Sequence, residues 1–174
     1  MAEQERTGVT TMRGNPLTLI GPALKPGDKA PDFQCVAPDL SAVGLSSSAG
    51  KARLLISVPS LDTPVCSLET VRFNREVAGI GDNFEVYVIS MDLPFAQKRF
   101  CGSENIANVQ TLSDHRDASF GRAYGVLIKD LRLLARALFV VDARDTIRYV
   151  QIVPEVAQEP NYDEALNALR TAVG

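Results

Sequence analysis

The most constraining stretch of this chain is residues 54–58, Leu-Leu-Ile-Ser-Val, apolar apart from Ser57 and closed by Pro59. A run without alternation is what a strand looks like when both of its faces are covered. Shortly after it, from Pro64, apolar side chains recur at helical spacing through Ala78 and stop at Gly79. A doubly covered strand that runs straight into a helix belongs to a layered α/β architecture. It places the first turn of that helix, with Cys66 in it, at the carboxyl edge of the central strands, where α/β proteins tend to carry their sites.

The rest of the chain reads in the same terms. Residues 84–90 alternate and concentrate Val, Tyr and Ile, which predicts a second strand. Residues 94–100 predict a short helix ending at Cys101-Gly102, residues 109–112 a strand, and residues 118–124 a helix stopped by Gly125. Residues 137–141 and 146–152 form a hairpin about the turn from Asp142 to Asp145. Residues 163–173 are amphipathic, with Ala165, Leu166, Leu169 and Val173 on one face and Asn161 as cap. Upstream, residues 10–12 and 17–20 flank Arg13-Gly14-Asn15-Pro16, a hairpin within an N-terminal extension over residues 1–25, and residues 33–36 suit a short strand. No repeat or linker divides the sequence, so residues 1–174 read as a single domain. This order predicts a thioredoxin-like α/β fold: a mixed central sheet with helices on both faces.

A chain of 174 residues buries a sufficient core without disulfide staples, so its three cysteines are not a structural framework. Eighteen basic against 21 acidic side chains, without blocks of like charge, leave no footprint for nucleic acid or an anionic membrane. The first 22 residues lack the basic and apolar regions of a secretory signal. The longest apolar run, residues 137–141, is far short of the ~20 residues that cross a bilayer. The expectation is a cytoplasmic protein, where a disulfide tends to be catalytic or sensory.

The chemistry concentrates in Pro59-Ser60-Leu61-Asp62-Thr63-Pro64-Val65-Cys66. Cysteine attacks as thiolate, and the unpaired N–H groups and positive end of a helix N-terminus favour that anion. Thr63, three residues earlier, is placed to direct its hydroxyl at the sulfur, while Pro59 and Pro64 stiffen the approach. The competing reading of Cys66 is an inert buried thiol. Cys101, which is no CxxC partner, suggests two thiols that meet only after the chain moves, since bonding needs Cα atoms within about 7 Å.

These residues resemble the P-x-x-x-T-x-x-C signature of peroxiredoxins. Three further blocks look like the thiol peroxidase subfamily of atypical two-cysteine enzymes: the run from Asp92 to Cys101 (DLPFAQKRFC), that from Thr111 to Arg116 (TLSDHR), and Leu133-Leu134-Ala135-Arg136-Ala137. The resemblance runs from about Gly14 to the end. It implies a peroxiredoxin-type thioredoxin fold with Cys66 as the peroxidatic cysteine, Cys101 as the resolving cysteine of the same subunit, and Arg136, Thr63 and Pro59 completing the site. It also implies hydrogen peroxide and organic hydroperoxides as substrates, no cofactor, thioredoxin as reductant and a homodimer. Apolar side chains near the site, Leu61, Val65 and Phe95, favour an organic tail on the substrate.

Plainer readings stand beside these. An arginine in apolar company such as Arg136 is often a structural ion pair, and Thr63 suits a turn. Cys35, in a strand setting, reads as a packing residue. Three cysteines and His115 lack the paired ligand spacing of a zinc site, His115 reads as a loop residue, and Ser113-Asp114 as a cap for the next helix. The alternative function is a redox-sensing binding module switched by a Cys66–Cys101 disulfide.

Overall fold

The computed structural model describes residues 2–174. A seven-stranded sheet forms its centre. The strands are β3 (Cys35–Val36), β4 (Ala42–Val43), β5 (Ala52–Ser57), β6 (Phe84–Ser90), β7 (Gln110–Ser113), β10 (Ala137–Val141) and β11 (Ile147–Ile152), in the order β11-β10-β5-β6-β7-β3-β4. β5, β6 and β7 run parallel, and the flanking pairs are antiparallel. The mixed sheet expected from the sequence is therefore present.

Both faces of the central strands are buried, and their side chains sort cleanly. Leu54 and Ile56 of β5, Val86 and Val88 of β6, and Leu138 and Val140 of β10 enter one core. Leu55, Tyr87, Ile89, Ala137 and Phe139 enter the other. The first core is closed by Phe73 of α1 (Pro64–Glu76), Phe100 of α2 (Pro94–Glu104), and Tyr162, Leu166 and Leu169 of α4 (Tyr162–Val173). Asn161 caps α4 as expected, accepting from the Glu164 N–H at 3.1 Å.

The second face is covered differently from the sequence expectation. The short α3 (Ser119–Ala123) lies there with a four-stranded antiparallel sheet, and Ala30, Phe33 and Leu45 from the connecting segments add to the same core. That sheet has the order β1-β2-β8-β9, from β1 (Glu5–Met12), β2 (Asn15–Ile20), β8 (Leu127–Ile128) and β9 (Leu133–Leu134). The N-terminal hairpin is thus part of a covering layer, with Leu19 fully buried. Its turn is tighter than expected: Met12 pairs with Asn15, leaving Arg13-Gly14 as a two-residue loop with φ of 52° and 80°. Positive φ at both positions is the twist-matched hairpin turn, which glycine enters without steric cost.

Two boundaries also move. A single 3₁₀ turn, Val77–Gly79, carries α1 to its end. The second helix does not stop at Cys101-Gly102 but continues to Glu104, and Asn105 takes the left-handed cap conformation with φ of 54°. A side chain at Gly102 would meet nothing, so that glycine is a tolerated helical position rather than a terminator.

Candidate active site

β5 delivers the chain to the loop between Pro59 and Thr63, and Asp92 holds that loop from the end of β6. Its carboxylate accepts from the Ser60 hydroxyl at 2.7 Å, the Leu61 N–H at 2.8 Å and the Ser90 hydroxyl at 2.7 Å. The Ser60 carbonyl in turn accepts the Thr63 hydroxyl at 2.9 Å. This corrects one expectation: the Thr63 hydroxyl proton is committed to Ser60 rather than aimed at the sulfur, and what Thr63 offers the site is its oxygen as acceptor.

Thr63 is also the N-cap of α1, with Pro64 at the first helical position. The first helical bond runs from Ser67 to Thr63, so the N–H groups of Val65 and Cys66 have no acceptor within the helix. Cys66 lies among them and is fully buried.

Arg136, between β9 and β10, is brought to the sulfur from the other side. Its Nη2 donates to Cys66 Sγ at 3.2 Å. Nε and Nη2 both donate to the Val156 carbonyl, at 3.0 and 2.8 Å, and Nη1 pairs with the Glu69 carboxylate. Both members of this ion pair are buried. Burial alone would lower the guanidinium's proton affinity, but Glu69 and then Cys66 outweigh it and the shift is upward. For Glu69 burial wins: the carboxyl is pushed up to about 7 despite the arginine, and its Oε1 has no partner.

A pocket of about 370 Å³ opens over this cluster, its wall including Pro59, Thr63, Val65, Leu133, Arg136 and Val156. The wall is mostly apolar, with the charged side chains of Arg136, Arg13 and Glu155 also in it, a surface suited to an apolar tail attached to a polar reacting group. Of the apolar residues expected near the substrate, only Val65 is there. Leu61 is buried in the core beneath the helices and Phe95 is exposed.

Cys101 lies one turn inside the end of α2, where its carbonyl accepts from the N–H groups of Asn105 and Ile106. It packs against the same core cluster that contains Cys66, and its sulfur is 3.5 Å from the Thr111 hydroxyl. All three cysteines are free thiols. Cys35 is buried on the opposite side of the sheet and donates to Asp114 at 3.5 Å. Burial first, and the Asp114 carboxylate second, push its thiol far above the ordinary range. Asp114 also accepts from the N–H groups of Phe120 and Gly121 and so tethers α3, but the N-cap position is Ala118 rather than the expected Ser113-Asp114, and the Ser113 hydroxyl donates to the Asp92 carbonyl instead.

Comparison with known proteins gives the chain its relatives. Residues 25–166 match the redoxin family. A thiol peroxidase of Halalkalibacterium halodurans is 52% identical over 163 residues, covering 94% of this chain and 98% of that protein. A thiol peroxidase of Bacillus subtilis is 48% identical over 163 residues, covering 94% and 97%. Among solved structures, a peroxiredoxin-like protein from Aquifex aeolicus superposes with a TM-score of 0.90 at 46% identity, over 99% of this chain and 100% of that one.

The chain belongs to the thiol peroxidase family.

For a thiol peroxidase, the structure adds three groups that sequence reasoning passed over: Glu69, Asp92 and the Val156 carbonyl. Glu69 had a legible signal. It lies three residues after Cys66, hence on the same face of α1, and a helical face that carries a reactive thiol is where a charged neighbour matters. Asp92 stood in a block used only for its resemblance to thiol peroxidases. Val156 acts through its backbone oxygen, which no side-chain pattern marks.

Proposed function

We propose that this thiol peroxidase reduces hydroperoxides through Cys66 and resolves the product with Cys101. The activity class, thiol-dependent peroxide reduction, comes with family membership; the assignment of roles rests chiefly on one observation, Arg136 Nη2 at 3.2 Å from the Cys66 sulfur. A cation donating to sulfur, at a helix N-terminus with free N–H groups, sets donors where charge passes through the reacting sulfur.

The thiolate attacks one peroxide oxygen and the O–O bond breaks. Sulfur loses two electrons and becomes a sulfenic acid, while the leaving oxygen takes a proton and departs as alcohol or water. Arg136 and the helix N–H groups stabilise the charge as it moves from sulfur to the leaving oxygen, and the Thr63 oxygen accepts from the peroxide O–H. Pro59 shapes the pocket wall. The Cys101 thiolate then attacks the sulfenic sulfur, hydroxide leaves as water, and a disulfide forms. An external dithiol of the thioredoxin type supplies two electrons and two protons to restore both thiols, and thioredoxin itself is the reductant in this reading.

The apolar pocket supports organic hydroperoxides beside hydrogen peroxide. The reading also takes residues 1–174 as one domain, supported by the pairing of β2 with β8. A homodimer is supported by the exposed Leu93 and Phe95 at the start of α2. A cytoplasmic setting fits three free thiols, and among the described residues no helix is long and apolar enough to cross a membrane.

Intact mass after one equivalent of peroxide tests the assignment. The wild type should lose two hydrogens, Cys101→Ser should gain one oxygen and stop after a single turnover, and Cys66→Ser should do neither. Full steady-state activity in Cys66→Ser would overturn it.

A further inference from the structure

The loop formed by residues 153–156 has two sides, and both are occupied. On its inner side the Val153 N–H donates to the Arg136 carbonyl at 2.9 Å, and the Val156 carbonyl takes two guanidinium bonds. On its outer side lies the β1–β2 hairpin. The Thr11 N–H donates to Pro154 at 2.8 Å, the Val156 N–H to Thr11 at 2.9 Å, and the Thr10 hydroxyl to Val153 at 2.8 Å.

Glu155 closes this junction. Its carboxylate accepts from the Thr11 hydroxyl at 2.6 Å, the Arg13 N–H at 3.0 Å and the Gly14 N–H at 3.2 Å. The last two donors belong to the positive-φ turn, whose geometry turns successive N–H groups toward one anion. Both carboxylate oxygens are committed to the hairpin tip, and Glu155 forms no ion pair among the described residues.

We propose that Glu155 is a positioning residue for the Cys66–Arg136 pair, clasping the hairpin tip to the loop whose Val156 carbonyl anchors the guanidinium. The inference rests on the reading of Cys66 as the attacking thiol. Its physical basis is the rigidity of the guanidinium fork: five donors share one plane, so a shift of the Val156 acceptor rotates Nη2 relative to the sulfur as well. The carbonyl is one residue from the clasp, and an outer-layer hydrogen bond that fixes an inner ligand acts in this way on reactive sites generally. The hairpin thereby serves as a brace for the arginine, and Met12, Arg13 and Glu155 itself also form part of the pocket wall, so what must be measured is whether the effect of Glu155 runs through Arg136.

The test separates positioning from mere attachment. In Glu155→Ala, single-turnover oxidation of Cys66 by hydrogen peroxide should slow about tenfold, while the following disulfide step with Cys101 stays within about twofold. Alkylation of Cys66 by iodoacetamide near neutral pH should slow in parallel. In an Arg136→Lys background the same substitution should add less than about twofold, because the group it positions is already lost. Unchanged oxidation in Glu155→Ala, or a loss that adds in full to that of Arg136→Lys, would overturn the proposal. Thr11→Val, which removes one bond of the clasp, should give an intermediate slowing whether or not Arg136→Lys folds, and a wild-type rate there counts against it. Cys66→Ser keeps the two claims apart. If it retains turnover, the functional reading fails; if it is inactive while Glu155→Ala is unaffected, only the clasp does.

Discussion

Arg136 donates to Cys66 across 3.2 Å although 70 residues separate them, and the same guanidinium is held by Glu69 and by the Val156 carbonyl. The thiol therefore meets a cation each of whose nitrogens is anchored to a protein partner, on elements that the central sheet brings together. Preorganisation of this kind lets a site stabilise moving charge without rearranging at the moment of reaction.

Replacing the arginine should affect rate and stability through different partners. Arg136→Met should slow single-turnover oxidation by about a hundredfold or more, since it removes a donor aimed at the reacting atoms. It should also cost about 3–5 kcal/mol, because Glu69 is left buried without its partner. Adding Glu69→Leu should restore most of the stability, read by urea denaturation, and none of the rate. Recovery of rate in the double variant would contradict the role given to Arg136.

Glu69 gives the protein a pH signature. Its folded-state value of about 7 lies above the ordinary 4.5, so folding takes up a proton across this interval. The stabilisation from that proton is complete below about pH 4.5 and is lost as pH rises through about 7. Glu69→Gln cannot ionise. The urea midpoint of the wild type should fall relative to that of Glu69→Gln between about pH 5 and about pH 8, and a constant difference over that range would refute the assignment.

Disulfide formation should loosen the end of α2. The Asn74 carboxamide on α1 holds the segment after that helix, accepting from the N–H groups of Ala107 at 3.1 Å and Asn108 at 2.7 Å. Asn74→Ala should speed the step from sulfenic acid to disulfide about threefold and lower thermal stability by a few degrees. Hydrogen exchange of the oxidised protein should show lost protection at the first turn of α1 and around Asn105. Unchanged protection at both places would argue that the thiols meet without unwinding.

The pocket should discriminate by tail. Leu133→Ala removes apolar wall without touching Cys66 or Arg136. It should reduce kcat/KM for a bulky organic hydroperoxide about tenfold and leave that for hydrogen peroxide nearly unchanged. Equal losses for both would show that Leu133 supports the site rather than the substrate.

The central strands and long helices were legible in the sequence because their periods are long enough to show. β5 carries the apolar run Leu54–Ile56 and β10 is apolar throughout, β6 alternates, and α4 repeats its apolar face. β4, β8 and β9 are two residues each, too short for any period; β4 forms by pairing with β3 at the edge of the larger sheet, and β8 and β9 belong to the sheet that covers its second face. Of the site, Cys66 and Arg136 were accessible through motif and resemblance. The direction of the Thr63 hydroxyl was not, since it depends on where the Ser60 carbonyl points, a property of the loop that Asp92 holds. The end of α2 misled for a related reason: Gly102 resembles a stop, but Asn105 accepts the left-handed conformation and ends the helix instead.

Three thiols permit three different intramolecular pairings, and the proposed mechanism uses only one of them, Cys66 with Cys101. Cys35 sits on the far side of the central sheet, hydrogen-bonded to Asp114 and held as a thiol. The sheet thus works as a partition. A sulfenic acid on Cys66 has a single nucleophilic sulfur on its own side, so the correct crosslink is selected by architecture before any difference in reactivity between the cysteines comes into play.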